Sequence, residues 1–195
     1  MQELPPILQR IDRTPPKHFQ RLIGIDGLGA SGKTTIAHDI KKLQPNSSII
    51  SIDEFYKPKA QRTTGIIEGS IVSPDFEWDR LDGQVFDAVR RGFPVIYQSY
   101  DWRADAWGEW VEIPQDNWII ICGIYSLQSR FFPYYDYTIW TEAPKEIRMK
   151  RMIAREGEKI ANQWLANWSS REERYFEVER PDERATSTIF ANTSG

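Results

Sequence analysis

The chain has 195 residues, enough for one domain with a substantial core. Its 25 basic and 28 acidic side chains leave a net charge of −3, without the basic surplus that marks nucleic-acid binders. The single cysteine, Cys122, excludes an internal disulfide, no apolar run reaches the length of a membrane span, and Met1 to Pro6 lacks the basic and apolar regions of a secretory signal. A cytoplasmic protein is expected, with no membrane or nucleic-acid partner.

Residues 1–20 place Pro5, Pro6, Pro15 and Pro16 around Ile7-Leu8-Gln9-Arg10-Ile11. The prolines predict a short helix that starts at the first pair and stops at the second. It reads as an N-terminal arm or helix ahead of a single domain over 21–195. Covering the sheet is the expected role; a regulatory or partner-binding role stays open.

Arg21 to Asp26 is apolar and predicts a buried strand. Gly27-Leu28-Gly29-Ala30-Ser31-Gly32-Lys33-Thr34 follows, with the spacing G-x-x-x-x-G-K-[ST] of the phosphate-cradling Walker A loop. Thr35 to Leu43 then has helical spacing. Gly27, Gly29 and Gly32 carry no Cβ and allow positive φ or close approach. Inward-turned N–H groups and the N-terminus of the helix would then bind an anion. The predicted nucleotide set is Gly27, Gly29, Ala30, Ser31, Gly32, Lys33, Thr34 and Thr35. Lys33 would reach the outer phosphates, and Thr34 would offer its hydroxyl to Mg²⁺.

Ser48 to Ile52 predicts a second buried strand, which delivers Asp53 at its carboxyl end, where open α/β sheets bind ligands. Asp53 could serve as a base or through Mg²⁺; a helix N-cap is the competing role. Lys57 to Ser73 reads as a mobile loop. A helix is predicted from Asp79 to Arg91, with Leu81, Val85, Ala88 and Val89 on its apolar face. Val95 to Trp102 and Glu109 to Pro114 predict an antiparallel excursion.

Trp118 to Cys122 is a third strand, Tyr125 to Phe132 a short helical stretch, and Tyr137 to Trp140 a fourth strand. Pro144 opens a helix that sets Arg148, Arg151 and Arg155 on one face. A solvated basic face and a lid that brings arginines to phosphate are the two readings. Residues 157–178 are helical, with Trp164, Leu165, Trp168, Tyr175 and Phe176 expected in the core. Arg184 to Phe190 is a last strand.

From about Arg21 to Ile189 these stretches resemble the uridine kinase-like branch of the P-loop kinases, which also includes phosphoribulokinase and pantothenate kinase. Ile25 to Thr35, Asp53 to Tyr56, Pro74 to Leu81, Tyr97 to Trp102, Arg148 to Glu156, and Tyr175 with Pro181 to Ala185 carry the resemblance. It implies an α/β, three-layer P-loop NTPase fold with a mainly parallel sheet, a small antiparallel excursion and a helical lid. It also implies ATP and Mg²⁺ as cofactors and a small-molecule hydroxyl acceptor, with uridine or cytidine first. Asp53 matches the aspartate that activates the acceptor hydroxyl. Asp75 lies near the aspartate that holds sugar hydroxyls, though Glu77 and Asp79 leave that match open. Tyr56 belongs to the acceptor side, and Tyr100 and Asp101 fall in the segment facing the base. Arg151 and Arg155 match the lid arginines and join Lys33 and Asp53 in the catalytic set.

The resemblance breaks at one position. Kinases of this branch end the third strand in Glu-Gly, and the glutamate serves the Mg²⁺ site; here the pair is Cys122-Gly123. A thiol is a poor ligand for a hard cation. Three accounts stay open: metal held by Thr34, Asp53 and water, a loss of activity, or a change introduced at this position. A nucleotide-binding regulatory protein with a decayed site is therefore the alternative to a kinase. Oligomeric state is not legible.

Overall fold

Five apolar segments align as a parallel sheet in the order β2-β5-β1-β6-β7. They are β1 (Leu22–Asp26), β2 (Ser47–Ser51), β5 (Trp118–Cys122), β6 (Tyr137–Glu142) and β7 (Ser187–Phe190). The computed structural model describes residues 4–63, 70–115 and 118–190. Alternation along β1 and β5 feeds two cores. Leu22, Ile119 and Ile121 enter one, while Ile23, Ile25, Ile120 and Cys122 enter the other. A parallel sheet buried on both faces gives the near-continuous apolar runs seen in these strands.

Helices α1 (Leu4–Arg13) and α2 (Lys33–Leu43) cover the second face. Leu4, Ile7 and Ile11 of α1 pack in the same cluster as Ile23, Ile139 and Ile189, and the Arg10 guanidinium donates to Ser187 Oγ at 3.1 Å. The first face is covered by a helical run: α3 (Trp78–Leu81), a π-helical turn (Asp82–Phe86) and α4 (Asp87–Arg91). Leu81, Val85, Phe86 and Val89 point into the core. The hairpin of β3 (Val95–Asp101) and β4 (Ala106–Ile113) packs beside that run, in register Val95 to Ile113 with a bulge between Gln98 and Tyr100. Together these form a three-layer α/β fold with a small antiparallel sheet.

Helices α5 (Lys145–Glu156), α6 (Glu158–Asn167), α7 (Ser169–Glu179) and α8 (Pro181–Arg184) complete the chain. Two expectations are corrected. The stretch Tyr125 to Phe132 is a chain of turns rather than a helix. Tyr125 takes φ +70°, and the bend lets Leu127 N–H donate to buried Asp26. Asp53 does not cap a helix: Ser51 Oγ accepts the Asp53 N–H at 3.2 Å, and Asp53 lies within the short 3₁₀ turn Ile52–Phe55. Of the loop expected over Lys57 to Ser73, Lys59–Gln61 is a 3₁₀ turn, and 64–69 lie outside the described residues. Among the described residues, no helix is long and apolar enough to cross a membrane.

We take α1 as an integral part of the domain rather than a separable arm. Ile11 is fully buried, so Ile11→Ala should cost about 2–5 kcal/mol of stability, read by urea unfolding. A change under about 0.5 kcal/mol would show that α1 is detachable.

Candidate active site

The loop from Gly27 to Gly32 joins β1 to α2 at the carboxyl end of the sheet. Gly32 takes φ +108° and stands at the N-terminus of α2 with no side-chain cap, which leaves the first turn's N–H groups for an anion. Gly27 (φ +153°) and Ala30 (φ +61°) are the other positive-φ positions of the loop, and Gly29 is not one. Gly29 serves close approach: a Cβ there would stand 2.8 Å from Trp164 and 3.0 Å from Glu172.

The loop is held by its carbonyls and side chains. Lys33 Nζ donates to the carbonyls of Gly27 (2.7 Å) and Leu28 (3.0 Å). Arg151 donates to the carbonyls of Ala30 and Ser31 at 3.5 and 3.4 Å. Arg148 is buried, reaches Gly29 O at 3.5 Å and lies over the Trp164 ring. The basic face of α5 therefore grades from buried Arg148 through half-buried Arg151 to exposed Arg155, which pairs with Glu156. Ser31 Oγ shares a 2.6 Å hydrogen bond with Thr141 Oγ1 of β6.

Asp26 anchors the loop from behind. It is fully buried and accepts hydrogen bonds from Gly27 N–H (2.6 Å), Leu127 N–H (2.9 Å) and Tyr175 Oη–H (2.7 Å). Burial outweighs these donors and Lys33, and pushes its carboxyl up to about 6. Glu172, on α7, accepts Gly29 N–H and the Trp164 indole N–H; burial raises its carboxyl, while Lys33 and the two donors pull it down.

A cavity of about 900 Å³ opens over the loop. Gly29, Ala30, Ser31, Gly32, Lys33, Thr34 and Thr35 line one side, with Arg151 and Arg155 beside them. Asp53, Tyr56, Phe76, Trp102 and Tyr125 line the other. The Asp53 surface faces the open cavity, yet the protein mass around it withdraws enough water to raise its carboxyl; Lys33 and Arg155 offset part of this. Cys122 pairs in register with Ile25 and Ser51, between the strands that lead to the phosphate loop and to Asp53, and it lines the cavity. Burial pushes its thiol up to about 12, and it is neutral at pH 7.

The acceptor-side residues divide. Tyr56 lines the cavity, with its ring 4.1 Å from Phe76 and 5.2 Å from Trp102. Asp75 is buried outside the cavity wall, where it accepts Thr63 N–H at 2.8 Å and pairs with Arg171 at 2.9 Å. Tyr100 and Asp101 also lie outside the lining. The Tyr100 hydroxyl is bonded to Asp105 and Arg62, and Asp101 accepts the N–H groups of Arg103 and Ala104 in the hairpin turn. The bulge and tight turn of the hairpin consume both side chains. Sequence reading missed Asp26, Glu172, Arg171 and Arg62. Arg62 lies 4.7 Å from the Tyr56 ring centre and within 6 Å of Tyr100 and Trp102.

A phosphate loop on a parallel sheet, with arginines beside it and an acidic group at the next strand end, defines a P-loop nucleotide-binding fold. No protein-family model matches the chain. Among solved structures it is similar to a possible uridine kinase from Bacillus stearothermophilus, with a TM-score of 0.72 and 18% identity over 95% of this chain and 96% of the other. Uridine kinase of Borrelia hermsii is 28% identical over 141 residues, 70% of this chain and 67% of that protein. Human nicotinamide riboside kinase 1 is 49% identical over 43 residues, which span only 22% of either chain. These similarities, with the fold, support the uridine kinase-like branch of the P-loop kinases.

Asp26 makes stability depend on pH. Its carboxyl rises from 3.8 to about 6 on folding, so the folded state holds the proton more tightly. Its contribution is complete below about pH 4 and is lost as pH rises through about 6, a change on the order of 3 kcal/mol. Thermal unfolding from pH 4 to 7 should show this slope in the wild type relative to Asp26→Asn. Parallel curves for the two proteins would contradict it.

Proposed function

We propose that the protein is an ATP-dependent phosphotransferase that moves the γ-phosphoryl group to a hydroxyl of a small molecule, with a nucleoside such as uridine or cytidine as first choice. One observation carries the reading: a single cavity holds the phosphate loop with Lys33 on one side and Asp53 among aromatic rings on the other. Two of the similar proteins are named as kinases of ribosides, which supports a riboside acceptor. Tyr56, Phe76, Trp102 and Tyr125 offer flat apolar surfaces suited to a heterocycle.

The hard oxygen donors that line the cavity include the Thr34 hydroxyl beside Lys33 and the Asp53 carboxylate. They suit Mg²⁺, which keeps several waters and takes phosphate oxygens as further ligands. Among the described residues no group of three or more His, Cys, Asp or Glu could hold a metal, and the neutral Cys122 thiol is no ligand for a hard cation. Thr34 and Asp53 would hold Mg²⁺, which supplies charge neutralisation at the phosphates when bound.

The chain's own work is to position and to neutralise. The loop N–H groups and Lys33 hold the phosphates. Asp53 accepts the proton of the acceptor hydroxyl as its oxygen bonds to the γ-phosphorus and the bond to the ADP oxygen breaks. Arg151 and Arg155 face the charge that builds on the transferring group. Burial holds the Asp53 carboxyl above its ordinary value, which makes it a stronger proton acceptor than an ordinary carboxylate. Cys122 favours the second reading, a nucleotide-binding protein whose transfer site has decayed.

Asp53→Asn should lower transfer by 10²-fold or more and leave ATP affinity within a few-fold; unchanged turnover would remove Asp53 from the chemistry. Cys122→Glu separates the two readings at the metal. A large gain in Mg²⁺-dependent turnover is expected, and no gain would show that this position has no metal role.

A further inference from the structure

Helix α7 reaches the phosphate loop at a group an incoming anion would use. Glu172 is 6% exposed. Its Oε2 accepts Gly29 N–H at 2.7 Å, and its Oε1 accepts the Trp164 indole N–H at 2.9 Å. Lys33 and Arg148 act on the same carboxylate. A negatively charged oxygen thus occupies an inward-facing amide of a loop built to receive phosphate oxygens. The absence of a Cβ at Gly29 is what admits both Glu172 and Trp164.

The same helix is fastened on both sides of Glu172. Tyr175, one turn later, donates to Asp26 beneath the loop at 2.7 Å. Arg171, one residue earlier, holds Asp75 on the acceptor side at 2.9 Å, with both side chains nearly buried. These contacts place the Glu172 carboxylate in the cavity rather than in solvent, and they hold it without help from any ligand.

We propose that Glu172 is a built-in competitor for nucleotide phosphate: α7 is a latch whose carboxylate takes the Gly29 amide until a nucleotide displaces it. The inference rests on the phosphate-site reading given under Proposed function. A carboxylate and a phosphate oxygen cannot share one amide N–H, and two like charges side by side in a half-buried site repel strongly. Nucleotide binding therefore includes the work of removing Glu172 from the loop. Its charge sets the apparent affinity for ATP, while the fold of the loop does not depend on it.

Two measurements on the whole chain test this. The first is exchange of the Gly29 amide, read by NMR without nucleotide, in wild type, Glu172→Gln and Glu172→Ala. The second is ATP affinity by calorimetry on the same three proteins. Exchange should be slowest in the wild type, and both variants should bind ATP at least tenfold more tightly. Glu172→Gln keeps the size of the side chain and one acceptor oxygen but removes the charge, so it carries the ATP measurement if Glu172→Ala does not fold. Equal Gly29 exchange in the wild type and Glu172→Ala overturns the latch, whatever ATP does. Slow wild-type exchange with unchanged or weaker ATP binding in the variants overturns the competition. Slow exchange with no ATP binding by any of the three overturns the phosphate-site reading, and the competition with it.

Discussion

An anion-binding loop must be rigid while keeping amides for the anion. This constraint organises the structure around Gly27 to Gly32. Here one amide is turned back on the loop itself, Ser31 N–H to Leu28 O at 3.1 Å, and most of the remaining fastening comes from outside. Arg148 and Arg151 hold the loop by its carbonyls, and Ser31 ties it to Thr141 on the neighbouring strand. Asp26 takes only the Gly27 N–H and uses its remaining acceptor capacity on Leu127 and Tyr175. One buried carboxylate thus connects the loop, the turn after β5 and helix α7. Its high proton affinity is the consequence of burying a charge at that junction. Gly29 N–H is bonded from outside the loop, by a carboxylate that resembles the expected ligand in charge and geometry.

The sheet order converts this local design into a site. β1 lies between β5 and β6, and β5 lies between β1 and β2. The carboxyl ends of β1, β5 and β2 therefore deliver the phosphate loop, Cys122 and Asp53 side by side. The hairpin β3–β4 closes the acceptor side through Glu54, which accepts Tyr100 N–H at 2.9 Å, and Glu77, which accepts the Trp107 indole N–H at 3.1 Å. The aromatic wall is thus attached to the same turn that carries Asp53.

Much of this was legible in the chain because it is written locally. Strand, glycine loop and helix follow one another within some twenty residues, and the isoleucine runs mark strands buried on both faces. The hairpin showed in the segments Val95 to Trp102 and Glu109 to Pro114. What was illegible depends on partners far away in sequence. Tyr125 to Phe132 has helical spacing, but Leu127 must turn to reach Asp26, 101 residues earlier. Glu172 lies in a stretch whose helical pattern says nothing of a loop partner, and only folding brings it to Gly29, 143 residues away. Trp164 reads as core and is core, packed with Met152 and Ala161, yet it also roofs the loop. Tyr100 and Asp101 sit at the right place in the order of motifs, but the hairpin turn uses their polar atoms.

The central claim is that one cavity brings a triphosphate and an acceptor hydroxyl together. Incubation of the protein with Mg²⁺ and ATP against a panel of nucleosides, sugars and vitamin alcohols, with products detected by mass, tests it most directly. The account predicts ADP together with one phosphorylated riboside, and neither product when Lys33 is replaced by Ala. Tight ATP binding with no phosphorylated product from any acceptor would contradict it and would leave a nucleotide-binding protein in place of a kinase.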